Sequence, residues 1–260
     1  MKTAVVLFLL SLLGFAAGKA QTPVFDPIRL AEDTDVAQVL WNISLAYHPQ
    51  GSSGAGFDEF GQYYTFVRFI SHWQSAVSVS LSFNSRHKLG MAVGRSMTSS
   101  YERRLFAYSE SVQESKASAF SYSSYYEHRI APSSGFDPRL RFSCRFPSAI
   151  GVAVSVSRIA DPVVLTGMFG LVHQHARPVN WVDISLGAGL VANSRMTLEA
   201  SSGLTIPVED AGLPSSSVGL CARYSFEAGG NTEVAVRITL HMQGQSSWIA
   251  PALSIRGRTP

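Results

Sequence analysis

The stretch 150-IGVAVSVSRIADPVVLTGMFGLVHQ-174 sets Val152, Val154 and Val156 on one side of an extended chain and Ser155 and Ser157 on the other. It turns at Asp161-Pro162 and then takes up a second apolar alternation. Period-2 alternation over this length marks a strand with two unlike faces. The polar face carries Ser and Gly rather than Lys and Glu. A sheet that showed such a face to water would lack the charge that keeps sheet edges apart.

The same pattern recurs along the chain. In 75-SAVSVSLSFN-84, Val77, Val79, Leu81 and Phe83 oppose Ser78, Ser80, Ser82 and Asn84. Further on, Val182, Ile184, Leu186 and Leu190 oppose Asp183, Ser185, Gly187 and Gly189, and Met196, Leu198 and Ala200 oppose Thr197, Glu199 and Ser201. Two more follow at 217–226 and 233–242, where Arg223, Glu233 and Arg237 fall on the polar side. Each runs about 9 to 11 residues, the length a tilted membrane strand needs. Less regular segments at 36–47, 62–70, 88–97, 103–110, 117–127, 138–146 and 247–256 bring the total to about 12 strands, with 10 to 14 inside ordinary boundary error. The Gly-rich 51-GSSGAGFDEFG-61 reads as an exposed loop, and 108-YSESVQESKASAFSYSSYYEHR-129 as two strands around a loop or as mostly loop.

Composition bears on which face is wet. Charged residues make up 15% of the 260, against roughly 25% in an average soluble domain. Lys2, the apolar run 4-AVVLFLLSLLGFAA-17 and 18-GKA-20 form an export signal over residues 1–20. Its removal takes two lysines from the 21 basic residues and leaves a near balance with the 18 acidic ones, which argues against a nucleic-acid partner. Outside the signal no apolar run is long enough for a spanning helix. Cys144 falls on an apolar phase and Cys221 on a polar one, so two free thiols are expected rather than a disulfide.

Small polar residues suit the crowded inside of a barrel, and valines and leucines suit acyl chains. Closing the sheet also satisfies every backbone group without water. The predicted fold is therefore all-β: an antiparallel transmembrane up-and-down β-barrel over 36–257, preceded by a tether or plug at 21–35. Trp41, Trp73, Trp181 and Trp248, with Tyr63, Tyr64, Tyr122, Tyr125, Tyr126 and Tyr224, are candidates for aromatic girdles. Connections read as alternately short and long in the C-terminal half, with 174–180 and 206–216 long and 159–161, 192–195 and 227–231 short. This pattern puts the C-terminal end on the periplasmic side.

On this phase Arg139, Arg141, Arg145, Asp183, Glu199, Arg223, Glu233 and Arg237 point inward as candidate pore-lining residues. They would set charge selectivity without catalysis, or pair with one another and fill the barrel. His173 and His175 at a loop lack the neighbours of a metal site, and no metal or other cofactor is implied. Abundant serines without a GxSxG arrangement give a hydrolase no support.

The segment 154-VSVSRIADPVVLTGMFGLVHQ-174, with the hairpins 181-WVDISLGAGLVANSRMTLEASSG-203 and 216-SSVGLCARYSFEAGGNTEVAVRITLHM-242, resembles the C-terminal repeats of a bacterial outer-membrane β-barrel family. The family is labelled as transporters of the phenol-degradation meta-pathway type, and channels that export functional-amyloid subunits are similar. The resemblance spans roughly 135–256, with Ser157-Arg158 and 161-DPVVL-165 as its most specific text. It implies a passive outer-membrane channel for a small organic solute or an exported polypeptide. The partners would be the lipid bilayer and the cargo, and homo-oligomers are in keeping with it. The rival readings are a secreted or periplasmic all-β structural or binding protein and, less favoured, an outer-membrane hydrolase.

Overall fold

A computed structural model describes residues 38–84, 86–130, 136–146, 149–160, 162–175, 179–208, 213–226, 232–244 and 246–259. The expected export signal and the 21–35 tether lie outside these residues. Twelve strands follow in order: β1 Gln38–Phe57, β2 Tyr63–Asn84, β3 His87–Phe106, β4 Glu110–Arg129, β5 Phe136–Phe146 and β6 Ala149–Ala160. The second half comprises β7 Val163–Gln174, β8 Val179–Val191, β9 Met196–Pro207, β10 Ser215–Ser225, β11 Thr232–Gln243 and β12 Ser246–Thr259. Each pairs antiparallel with its chain neighbours, and β1 meets β12 from Val39↔Thr259 to Ala46↔Ala252, so the sheet closes into a barrel along the shorter strands, while the extension of β1 to β4 rises beyond that closure.

Burial is inverted relative to a soluble protein. Leu186, Leu220 and Ile238 are 61, 65 and 54% exposed, whereas Arg139, Glu127 and Glu199 are 2, 3 and 4% exposed. The alternation in 150–174 produces this directly, with Val152, Val154 and Val156 outward and Ser155 and Ser157 buried inward. A continuous apolar belt of this size would associate in water, whereas acyl chains solvate it. With strands about 4.8 Å apart and tilted about 40°, twelve of them enclose a backbone radius of about 12 Å.

Several expectations need correction. Residues 51–57 are strand, paired as Gly51↔Phe69 to Phe57↔Tyr63, and the connection is only 58–62. There the Asp58 carboxylate accepts the backbone N–H groups of Phe60 and Gln62, and Gly61 supplies φ 76°. Segments 62–70 and 75–84 are one strand, and 88–97 runs on to Phe106. The Ser/Tyr-rich stretch is mostly β4, opposite β3 from His87↔His128 to Leu105↔Glu110. The cause is common to all: β1 to β4 span 20 to 22 residues, beyond what a bilayer needs, and their far halves carry mixed polar faces that blur the alternation.

The short–long rhythm of connections is not clean either, since 175–178 is shorter than 226–231, and only two residues, 244–245, separate β11 from β12. What distinguishes the two ends of the barrel is strand length. The β1–β4 extension stands opposite the end where β1 begins and β12 finishes.

The girdle is also smaller than expected. Register puts Trp181 in phase with Asp183 and Trp248 opposite His241, so both face inward, as do Tyr64 and Tyr125. Trp41 and Trp73 face outward. Trp41 lies flat over Gly257, where an added Cβ would come within 2.2 Å of its ring, and Trp73 packs on Tyr47 with centroids 4.5 Å apart.

Candidate functional site

All eight sequence-selected charges fall on the inward phase, and register distributes them into three groups. In the first, Arg139 on β5 reaches Glu127 on β4 (3.1 Å), and Arg141 reaches the other oxygen of Glu127 (2.6 Å). Asp137 accepts from Arg129 and Arg139. The geometry follows from sequence spacing, because Asp137, Arg139 and Arg141 are two apart on one strand and stand opposite Glu127 and Arg129. Tyr125 lies over Gly90 and stacks beneath the Arg141 guanidinium, 4.5 Å from ring centroid to cation.

The second group is centred on Glu199 of β9. Arg223 of β10 donates to its Oε1 (2.9 Å), and Arg237 of β11 lies 3.4 Å from its Oε2. Glu233 joins Arg223 (3.7 Å) to Arg256 of β12. In the third, Arg145 of β5 interacts electrostatically with Asp183 of β8, which accepts a hydrogen bond from Thr205 (2.7 Å). The strands between them offer only Ala153 and Gly170 in the row that ends on Asp183.

Apart from Arg139–Asp137 within β5, the arginine–carboxylate contacts in the first two groups link neighbouring or next-neighbouring strands, so they run around the wall rather than straight across the lumen. Charge-assisted pairs of this kind satisfy both partners where water is scarce. They also brace each strand against the next. Toward the extended end the inward face changes character. His48, His72 and His241 come together with Trp248, with ring centroids 6.1 Å apart for His48–His72, 5.7 Å for His48–His241 and 5.4 Å for His241–Trp248. His72 Nδ1 is 2.8 Å from Thr98 Oγ1.

Beyond the histidines, the inward face of the β2–β3 extension carries Tyr64, Phe66 and Phe106 around Arg68, Glu102 and Arg104. Hydrogen bonds from Arg104 and Arg68 hold the Glu102 carboxyl below the usual carboxylate range. The Arg104 guanidinium also sits 5.1 Å from the centre of the Tyr64 ring.

Sequence reasoning missed Glu127, Asp137, Arg256 and the histidine–tryptophan group. For Asp137 the signal was present, in phase with Arg139 and Arg141, and Arg256 stands on the polar phase of its own strand against Ile249, Leu253 and Ile255. Glu127 and Arg129 were hidden because both faces of β4 are rich in Ser and Tyr. The histidines come from β1, β2 and β11, which only barrel closure brings together. Of the two cysteines, Cys144 is exposed and Cys221 is buried, each a free thiol. Among the described residues no three His, Cys, Asp or Glu side chains are arranged to hold a metal ion. His173, expected at a loop, lies in β7 opposite Asn180 of β8, with His173 Nδ1 3.0 Å from Asn180 Oδ1, and meets His175 edge-on just past the strand.

The fold and this lining define a membrane-spanning β-barrel with an ion-paired polar interior. No family model matches the chain, and no curated protein matches it in sequence. Among solved structures it is similar to an outer-membrane channel from Pseudomonas putida F1, with TM-score 0.54 and 7% identity over 90% of this chain and 100% of that one. It is also similar to the transport unit of the autotransporter AIDA-I from Escherichia coli (0.51, 8%, 85% and 90%). The translocator domain of the autotransporter NalP from Neisseria meningitidis gives 0.50 at 10% identity, over 89% and 91%. What the chain shares with these proteins is its fold, a closed barrel that accounts for nearly the whole of each aligned chain.

Proposed function

We propose that the protein is a passive outer-membrane channel for small organic solutes, with the start of β1 and the end of β12 on the periplasmic side and the β1–β4 extension outside. The observation that carries this reading is the inversion itself: an apolar belt faces out, and arginines and carboxylates line a closed wall. Barrels of intermediate strand number have room for a narrow polar path. Paired charges on its wall offer a transverse field to polar solutes. Arg139, Arg141, Arg145, Asp183, Glu199, Arg223, Glu233 and Arg237 are the lining in this reading, with Glu127 and Arg256 completing it. The buried state of most of these groups favours a small solute over an exported polypeptide, which needs a wider path. The likeness to an outer-membrane channel supports the reading at the level of fold, and the activity proposed is transport, not catalysis.

Planar-bilayer recording tests this. Wild-type protein is expected to give small, weakly selective conductance. Replacing Glu199 and Glu233 together by Ala leaves Arg223, Arg237 and Arg256 without those carboxylates and should move selectivity toward anions. If folded protein passes neither ions nor small solutes in either form, the lumen is filled and the channel reading fails.

A further inference from the structure

The outward face of β3 holds a cation that the lumen does not use. Arg95 is exposed, lies between Ser75 of β2 and Phe120 of β4, and rests its guanidinium 5.7 Å from the centre of the Phe120 ring. Arg95 borders a recess of about 330 Å³ that is also lined by Leu45, Trp73, Gln74, Ser75 and Met97. An exposed cation stacked on an apolar ring beside an open apolar slot is a site with two kinds of affinity.

Height decides what can occupy it. Arg95 is eight residues along β3 from His87 at the periplasmic end; at about 3.3 Å per residue and a tilt of about 40° it stands about 20 Å up an apolar band about 25 Å tall. The outward faces agree. Below Arg95 are Val93 and Met91; beyond Phe120 on β4 the outward residues are Ser118, Lys116 and Glu114. The Trp73–Tyr47 ring pair lies at the same boundary, where amphipathic aromatics belong. The Arg95 backbone therefore stands about 5 Å below the outer edge of that band, from where the long side chain reaches the headgroup layer, while the recess beside it still faces acyl chains. Arg158 mirrors it at the other boundary, 5.2 Å from the centre of the Phe136 ring.

We propose that Arg95 and the recess form a binding site for a phosphorylated glycolipid of the outer leaflet. The lipid phosphate bonds the Arg95 guanidinium, which is suited to phosphate by its planar fork of donors, and an acyl chain lies in the slot between Leu45, Trp73 and Met97. The site is independent of what passes through the lumen.

The test uses full-length protein folded in detergent, with diphosphoryl lipid A as probe and retention read by native mass spectrometry. Heat-dependent gel mobility confirms that each variant is folded. Wild type and Arg158→Gln should retain the probe, Arg95→Gln should lose about tenfold in retention, as expected for one charge-assisted contact, and Met97→Trp should weaken retention by filling the slot. Lipid A stripped of its phosphates should be retained no better by wild type than by Arg95→Gln. The proposal is overturned by equal retention in wild type and Arg95→Gln, by indifference to the phosphates or to Met97→Trp, or by displacement with millimolar inorganic phosphate. The last result would mark a bare anion site.

Discussion

Val154 and Ser155 are adjacent, yet they meet different solvents. Val154 is 43% exposed on the lipid side, and Ser155 is buried on the luminal side. Val154→Arg is therefore expected to cost about 2–4 kcal/mol, the penalty for a cation on the lipid face near mid-bilayer. Ser155→Ala should cost under about 1 kcal/mol. Reversible denaturation in lipid vesicles measures both, and equal costs would mean the two faces are not what they are taken to be. Inside, Glu199 serves two arginines at once, and its side chain is 1% exposed. Glu199→Gln removes the carboxylate both arginines share, leaving Arg223 its longer contact with Glu233, and should destabilise by about 3–5 kcal/mol, read by the same denaturation. Little or no loss would show that water already solvates those arginines.

At the scale of strands, the barrel divides into short membrane strands, β5 to β12, and a taller four-stranded arc. The arc beyond the bilayer has few buried apolar side chains and depends on ladder hydrogen bonds and on the Arg68–Glu102–Arg104 group. The folded-state pKa of Glu102 is lowered, so its contribution is complete above the ordinary carboxylate range and is lost as pH falls through the lowered value. Amide protection in the outer parts of β2 and β3, taken relative to the intrinsic exchange rate at each pH, should thus fall in acid while β6 and β7 stay protected. Uniform protection at all pH values would assign the arc's order to the ladder alone. The same division explains what could be read from sequence. Strands such as 150–160 and 234–242 were legible because lipid and lumen impose opposite chemistries on alternate residues. The outer halves of β1 to β4 were not, because water on both sides removes that contrast, and Gly51 to Gly56 then look like loop.

For the whole molecule, closure does what no single strand shows. It places Glu199 of β9 beside Arg237 of β11, and His48 of β1 beside His241 of β11, pairs separated by 38 and 193 positions in the chain. Strand phase showed which charges point inward, but their partners depend on register and shear, which a one-dimensional pattern does not specify. The account stands on the lipid-facing assignment of the apolar phase. Its most direct test is a scan of single cysteines from 150 to 157 on β6, in a background with Cys144 and Cys221 replaced. Each is labelled with a small fluorophore, and quenching is measured in vesicles of brominated-chain lipid. Strong quenching at 150, 152, 154 and 156, and little at 151, 153, 155 and 157, is the predicted result. Quenching in the opposite phase, or at none of the eight, would contradict it.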